Sequence, residues 1–294
     1  MEKLNKDAIG TNTLLLGESG SGKTASIASF IKAGMEVGIK TQVACIITEP
    51  GGYETLLDGL TLHEFDGKPL PADRLHYTYI PPTSTSWKTL TALAQRVNTL
   101  SYKALSDMKS GIEKQGNTQF LDLLTSLSNF VNQDGEEFGP VDDFDNTWLL
   151  VIDSLSGVNM MARSLHVGMK PSMHQGEWGV IMETEEALIN QVISATKCFT
   201  CFTAHVEKEM DETIGKPQFF PMLLGRKLAP KVPRMFSDVV LAYKESGKFR
   251  WSTARDNYSS LKNRNLPLSD SLNPSFEGIF ETWLERNSKN KGNG

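Results

Sequence analysis

The sequence is poor in the features that mark secreted, membrane-spanning or wholly polyanion-binding proteins. Three cysteines in 294 residues, Cys45, Cys198 and Cys201, are too few for a disulfide framework and suit a reducing, cytoplasmic setting. No apolar run approaches the ~20 residues of a spanning helix, and the longest, such as residues 147–152, are strand-sized. The opening MEKLNKDAIG has no apolar stretch and reads as neither a signal nor a transit peptide. Basic residues are not in excess: 30 Lys and Arg against 35 Asp and Glu give a net charge of −5. Any nucleic-acid contact therefore has to come from a local patch. No internal repeat is visible.

With 39% hydrophobic and 22% charged residues, the chain has the composition of a soluble globular protein, and its length suits one large α/β domain or two small ones. Residues 12–16 (NTLLL), 42–48 (QVACIIT), 75–80 (LHYTYI), 148–152 and 198–203 (CFTCFT) read as buried strands, each short and mostly apolar. Ile27, Phe30 and Ile31 share one helical face. Trp87, Leu90, Leu93, Val97 and Leu100, then Leu121, Leu124, Leu127 and Phe130, also repeat at helical spacing. A helix is expected near 183–196, a long loop from Val206 to about Arg234, a hairpin of 239–243 with 249–253, and a last helix near 276–283.

Strands alternating with helices imply an α/β fold, a mainly parallel twisted sheet with helices on both faces and an antiparallel extension at one edge. Residues 1–286 are expected to form one domain. A helical insertion occupies about 86–145 and closes with an acidic loop at 134–145; the polar tail, 287–294, is expected to fray.

Gly17, Glu18, Ser19, Gly20, Ser21, Gly22, Lys23 and Thr24 spell G-x-x-x-x-G-K-[ST] between the first strand and the first helix. The glycines let successive backbone N–H groups curl toward phosphates, and the helix behind adds the positive end of its dipole. Lys23 is expected to reach the β- and γ-phosphates of ATP, and the Thr24 hydroxyl to ligate Mg²⁺. A carboxylate at the end of a neighbouring strand completes the metal site, and Asp153, closing WLLVID, is in that position; Ser154 is placed to assist by a hydrogen bond. Glu49 ends the strand after the P-loop helix. A parallel sheet gathers its strand ends at one crevice, so Glu49 lies on the correct rim to orient or deprotonate water. His205 follows CFTCFTA on the same rim, where it either senses nucleotide state or is structural. Cys198 and Cys201 are spaced C-x-x-C, but three residues along a strand separates them onto opposite faces, and two buried thiols are expected rather than a metal site.

These residues resemble the RecA-like ATPases, the group that includes RecA, RadA and KaiC. GESGSGKT, the glutamate closing IITE, VIDS and the polar residue ending FTAH match in that order. The nearest resemblance is to the small RecA-like ATPases of tailed phages, some of which act in single-strand annealing or recombination. It implies ATP hydrolysis with Mg²⁺ and assembly into a homo-oligomer with ATP at subunit interfaces. It also implies a setting in the cytoplasm of an infected host, among phage replication or recombination proteins. Lys262 and Arg264 resemble a Lys-x-Arg element that reaches a neighbour's γ-phosphate, so the resemblance implies a role in trans. The 86–145 block departs from the core pattern.

Between Gly215 and Arg234 lie Lys216, Arg226, Lys227, Lys231 and Arg234 with no Asp or Glu, interleaved with Phe219 and Phe220. Cations for phosphates and aromatics for bases are what a single-stranded DNA groove needs. The same stretch also reads as a loop with its aromatics in the core. Arg163, His166, Lys170 and Trp178 would belong to a second DNA loop by the resemblance. Three functions remain open: a DNA-dependent ATPase of the recombinase type, an ATP-driven switch or loader acting on a helicase or packaging component, and a small-molecule kinase. The kinase is disfavoured because a lid at 86–145 offers only Arg96.

Overall fold

The structure, a computed structural model, describes residues 4–5, 7–81, 87–101, 103–104, 117–168, 173–211, 216–223, 228–255 and 260–289. Its strands are Asn12–Leu16 (β1), Gln42–Ile47 (β2), Leu75–Tyr79 (β3), Phe130–Val131 (β4), Glu137–Gly139 (β5), Trp148–Asp153 (β6), Phe199–Ala204 (β7), Val206–Asp211 (β8), Lys216–Pro221 (β9), Asp238–Glu245 (β10), Lys248–Ser252 (β11) and Lys262–Asn263 (β12). Its helices are Lys23–Ser26 (α1), Ser29–Glu36 (α2), Gly52–Leu62 (α3), Trp87–Thr99 (α4), Gln119–Ser128 (α5), Leu155–Val167 (α6), Gln175–Ala195 (α7) and Glu277–Lys289 (α8).

Across the main sheet the order is β11-β10-β1-β7-β6-β2-β3, with β12 also on β10. Every pairing from β10 to β3 is parallel, and β11 and β12 add antiparallel edges. This is the α/β architecture expected from the sequence and from the RecA-like resemblance. The strands read as continuous apolar runs because both their faces are buried. Leu14, Leu16, Ala44, Ile46, Leu150, Ile152, Phe202 and Leu241 face one core, together with residues of α5, α6 and α7. The alternate residues Leu15, Val43, Cys45, Val151, Cys201 and Val240 face the other, with α2, α3 and α8. Period-two alternation thus feeds two cores from one set of strands.

On the second face two helices meet almost backbone to backbone. A Cβ at Gly59 of α3 would fall 2.4 Å from the carbonyl oxygen of Ala25 in α1. Only a glycine admits that approach. Cys198 belongs to one core and Cys201 to the other, as the strand spacing requires; burial pushes the Cys198 thiol up to about 12 and Cys201 higher still.

Several local expectations are corrected. The stretch from Val206 is not a loop but an antiparallel ribbon, β8 on β9, followed by a 3-10 turn at Val232–Met235. The acidic segment 134–145 holds β5 of a small hairpin and a 3-10 turn at Val141–Asp143. Arg163 and His166 stand on α6 and Trp178 on α7, not on a loop, and Lys170 lies outside the described residues. The last helix runs to Lys289, into the stretch read as frayed, and 290–294 lie outside the described residues. The side chains of Leu90 and Leu93 lie outside them too. Among the described residues no helix is long and apolar enough to cross a membrane.

Glu185 shares the buried face of α7 with Ile181, Leu188 and Ile189. It is 2% exposed, and neither of its carboxylate oxygens has a hydrogen-bond partner among the described residues. Burial raises its pKa from 4.5 to about 8. The folded chain therefore holds a proton there that the unfolded chain has released. The resulting stabilisation is complete below pH 4.5 and is lost as pH rises through about 8. Glu185→Gln is expected to remove this decline, about 1.4 kcal/mol per pH unit between the two values. Urea denaturation of both proteins across that window tests it; parallel pH profiles would contradict it.

Candidate active site

Register brings the site together. Leu16 is level with Ala204, Ile152 with Phe202, and Ile47 with Asp153. The residues that leave these strands, Gly17, Glu49 and His205, therefore share one rim with Asp153, although they are far apart in sequence.

The P-loop is shaped by its glycines. Gly20 (φ 73°) and Gly22 (φ 87°) occupy the left-handed region, and Gly22 immediately precedes α1. A Cβ at Gly22 would also lie 2.8 Å from the Phe249 ring of β11. Lys23 is 6% exposed, and its Nζ donates to the carbonyls of Gly17 and Glu18, both at 2.8 Å. Burial lowers its pKa, opposed by the charges of Asp153, Glu49 and Glu18. The ammonium thus closes the loop on itself, within reach of anything the loop encloses.

Thr24 donates its hydroxyl to Asp153 Oδ2 at 2.8 Å, and the Thr203 hydroxyl of β7 donates to Asp153 Oδ1. Burial raises the Asp153 pKa and the two hydroxyls oppose it. A buried carboxylate with a hydroxyl against it, beside the P-loop, is an all-oxygen donor set of the kind Mg²⁺ takes, and a cation would relieve the cost of that buried charge. The described residues contain no cluster of three or more His, Cys, Asp or Glu side chains for a metal.

Both oxygens of Glu49 are engaged. Oε1 accepts the Ser154 hydroxyl, and Oε2 lies 3.0 Å from His205 Nε2. The bond to His205 is the largest influence on Glu49 and holds its carboxyl below the usual range, opposed by burial and helped by Ser154. Ser154 thus serves Glu49 rather than Asp153. Its backbone is fixed by Thr48, whose hydroxyl donates to the Ser154 carbonyl and accepts from its N–H, both at 2.9 Å; the Asp153–Ser154 peptide is cis. Gly157 makes room for this pair, since a Cβ there would lie 2.1 Å from Thr48 Oγ1. Thr48 and Thr203 escaped the sequence reading. Their only signal is a hydroxyl near the C-terminal end of an apolar strand.

The proposed DNA residues are divided rather than gathered. Cross-strand alternation on the ribbon sends Phe219 and Phe220 to opposite sides. Phe219 lines a cavity of ≈ 970 Å³ with Glu18–Ser21 of the P-loop and Tyr243–Glu245 of β10. Phe220 lines a separate cleft with Arg234 and Lys262. Lys231 pairs with Glu186 of α7 at 3.6 Å. β8 also sets Glu207 across from Phe220. The Lys216 side chain, Arg226 and Lys227 lie outside the described residues. His166, assigned to the second loop, instead meets Thr184 at 2.9 Å.

Lys262 and Arg264 lie far from this chain's own P-loop. β12 pairs with Asp238 and Val239, which are level with Thr13 and Leu14 at the start of β1. The Lys262 ammonium donates to the carbonyls of Arg234 (3.2 Å) and Phe236 (2.5 Å), whereas Arg264 is exposed.

Thr48→Val removes a hydroxyl that satisfies two buried backbone groups, and is expected to cost about 1–3 kcal/mol of stability. A lower urea midpoint at unchanged m checks this; an unchanged midpoint would contradict it.

No family model matches the chain, and no curated protein does. Among solved structures it is similar to the KaiC-like protein PH0186 of the hyperthermophilic archaeon Pyrococcus horikoshii OT3, at 12% identity and a TM-score of 0.34, over 83% of this chain and 76% of that one. It is also similar to the flagellar accessory protein FlaH of Methanocaldococcus jannaschii, at 12% identity and a TM-score of 0.36, over 91% and 90%. Likenesses at this level leave the chemistry to the site's own geometry.

Proposed function

We propose that the protein is a Mg²⁺-dependent ATPase of the RecA-like type, acting on single-stranded DNA as a homo-oligomer in recombination or strand annealing. The reading rests on one observation above the others. Thr24 and Asp153 touch beside the loop that Lys23 closes, with Glu49 on the same rim.

In this reading the amides of residues 17–24 receive the phosphates, and Lys23 exchanges the Gly17 and Glu18 carbonyls for phosphate oxygens. Thr24 and Asp153 would hold Mg²⁺, which when bound neutralises charge on the β- and γ-oxygens. Glu49, kept ionised by its partners, accepts a proton from the attacking water at a carboxylate oxygen. The water oxygen joins the γ-phosphorus as the bond to the β–γ bridging oxygen breaks, giving ADP and phosphate. Ser154 and His205 orient Glu49 beforehand. Arg264, exposed at the far end of its own sheet, is assigned to a neighbouring copy's nucleotide, whereas Lys262 is tied to the Arg234 and Phe236 carbonyls of its own chain.

Lys23→Ala is expected to abolish ATP binding. Glu49→Gln is expected to bind ATP normally and lose about 10²–10⁴ in kcat. Titration with a fluorescent ATP analogue and steady-state hydrolysis separate the two effects; full turnover by Glu49→Gln would remove the base assignment. Single-stranded DNA is expected to raise wild-type hydrolysis. A rate indifferent to DNA would favour the switch or loader reading instead. That reading has its own support in an apolar groove of ≈ 580 Å³ between α5 and α7, lined by Phe120, Leu124, Leu127, Leu188 and Val192.

A further inference from the structure

The cleft that receives Phe220 joins residues that the sequence assigns to different tasks. It encloses ≈ 310 Å³ between β9, the 3-10 turn at Val232–Met235 and the entry to β12. Its walls are Phe220, Pro230, Pro233 and Leu261, and its polar groups are Arg234, Ser260 and Lys262. No Asp or Glu is among these lining residues.

Three features point to an anionic ligand. Arg234 is exposed and has no carboxylate partner among the described residues. Lys262 spends two of its three ammonium protons on the Arg234 and Phe236 carbonyls, which fixes the charge in place and leaves one donor. The Ser260 hydroxyl is buried with no hydrogen-bond partner among the described residues, a cost that a bound acceptor would remove. An aromatic ring and two prolines beside these donors offer a flat apolar surface to a planar group. The volume is at the small end of the range for ligand pockets, about 300–1,000 Å³, and too small for a helix or a strand of a protein partner.

We propose that this cleft binds one nucleotide unit of single-stranded DNA. Arg234, Ser260 and Lys262 take the phosphate, and Phe220 takes the base. The assignment rests on the DNA reading above but moves the contact away from the P-loop side of the ribbon, where Phe219 lies. It also gives Lys262 a ligand within its own chain. Glu207, directly across the ribbon from Phe220, opposes the same ligand.

Fluorescence anisotropy with a labelled thymidine homopolymer tests this across a salt series. Phe220→Ala is expected to weaken binding about tenfold. Arg234→Ala is expected to weaken it and lower the salt slope by about one. Glu207→Gln is expected to tighten it, with ATP-analogue binding unchanged in all three. Wild-type affinity in both Phe220→Ala and Arg234→Ala would overturn the cleft while leaving DNA binding elsewhere intact. Failure of the wild type to bind the polymer, with Lys23-dependent ATP binding preserved, would overturn the cleft and the DNA reading but not the ATPase. Thymidine monophosphate displacing the polymer at equal concentration would identify a free-nucleotide site and equally overturn the proposal.

Discussion

A single buried carboxylate organises the rim of this protein. Asp153 ends β6 in a place where water barely reaches, and burial makes its charge costly. Two hydroxyls offset that cost, one from the P-loop helix and one from the strand between β1 and β6. Those hydroxyls stand in position only because β1, β7 and β6 run parallel and in register. The sheet's order and the site's electrostatics are therefore one constraint: an antiparallel β7 would carry Thr203 to the opposite end.

The parts of this arrangement that could be read from residues alone are those governed by local rules. Strands buried on both faces appear as unbroken apolar runs, so QVACII and WLLVID announce themselves. The P-loop is legible because phosphate binding demands glycines at fixed positions. Glu49 and Asp153 followed from topology, since parallel strands deliver their last residues to one edge. Thr203 and Thr48 did not, because a hydroxyl inside an apolar strand has the same sequence whether it braces a carboxylate or fills a gap. The ribbon was missed for a related reason. VEKEMD lacks the apolar alternation of a half-buried strand, and it pairs with β9 outside the main sheet.

The charged stretch after β7 shows how a pattern read along the chain misleads once the chain folds back. Between Gly215 and Arg234 every charged residue is basic, yet β8 lays Glu207 opposite Phe220 of β9. Neighbouring Phe219 and Phe220 part company because successive strand residues point to opposite sides. Lys262, some thirty residues later, arrives beside Arg234 by way of β10. Composition gave the ingredients of a polyanion surface, and pairing decided which of them share a wall.

The contact between Gly59 and Ala25 bears on how the two sides of the rim are supported. α3, which follows the turn that carries Glu49, is seated directly on the backbone of α1, which carries Lys23. Lys23 and Glu49 are thus borne on directly packed parts of the chain. Across the rim, His205 opens a ribbon whose Val206 and Phe220 rest on the other core, the one that α6 and α7 line.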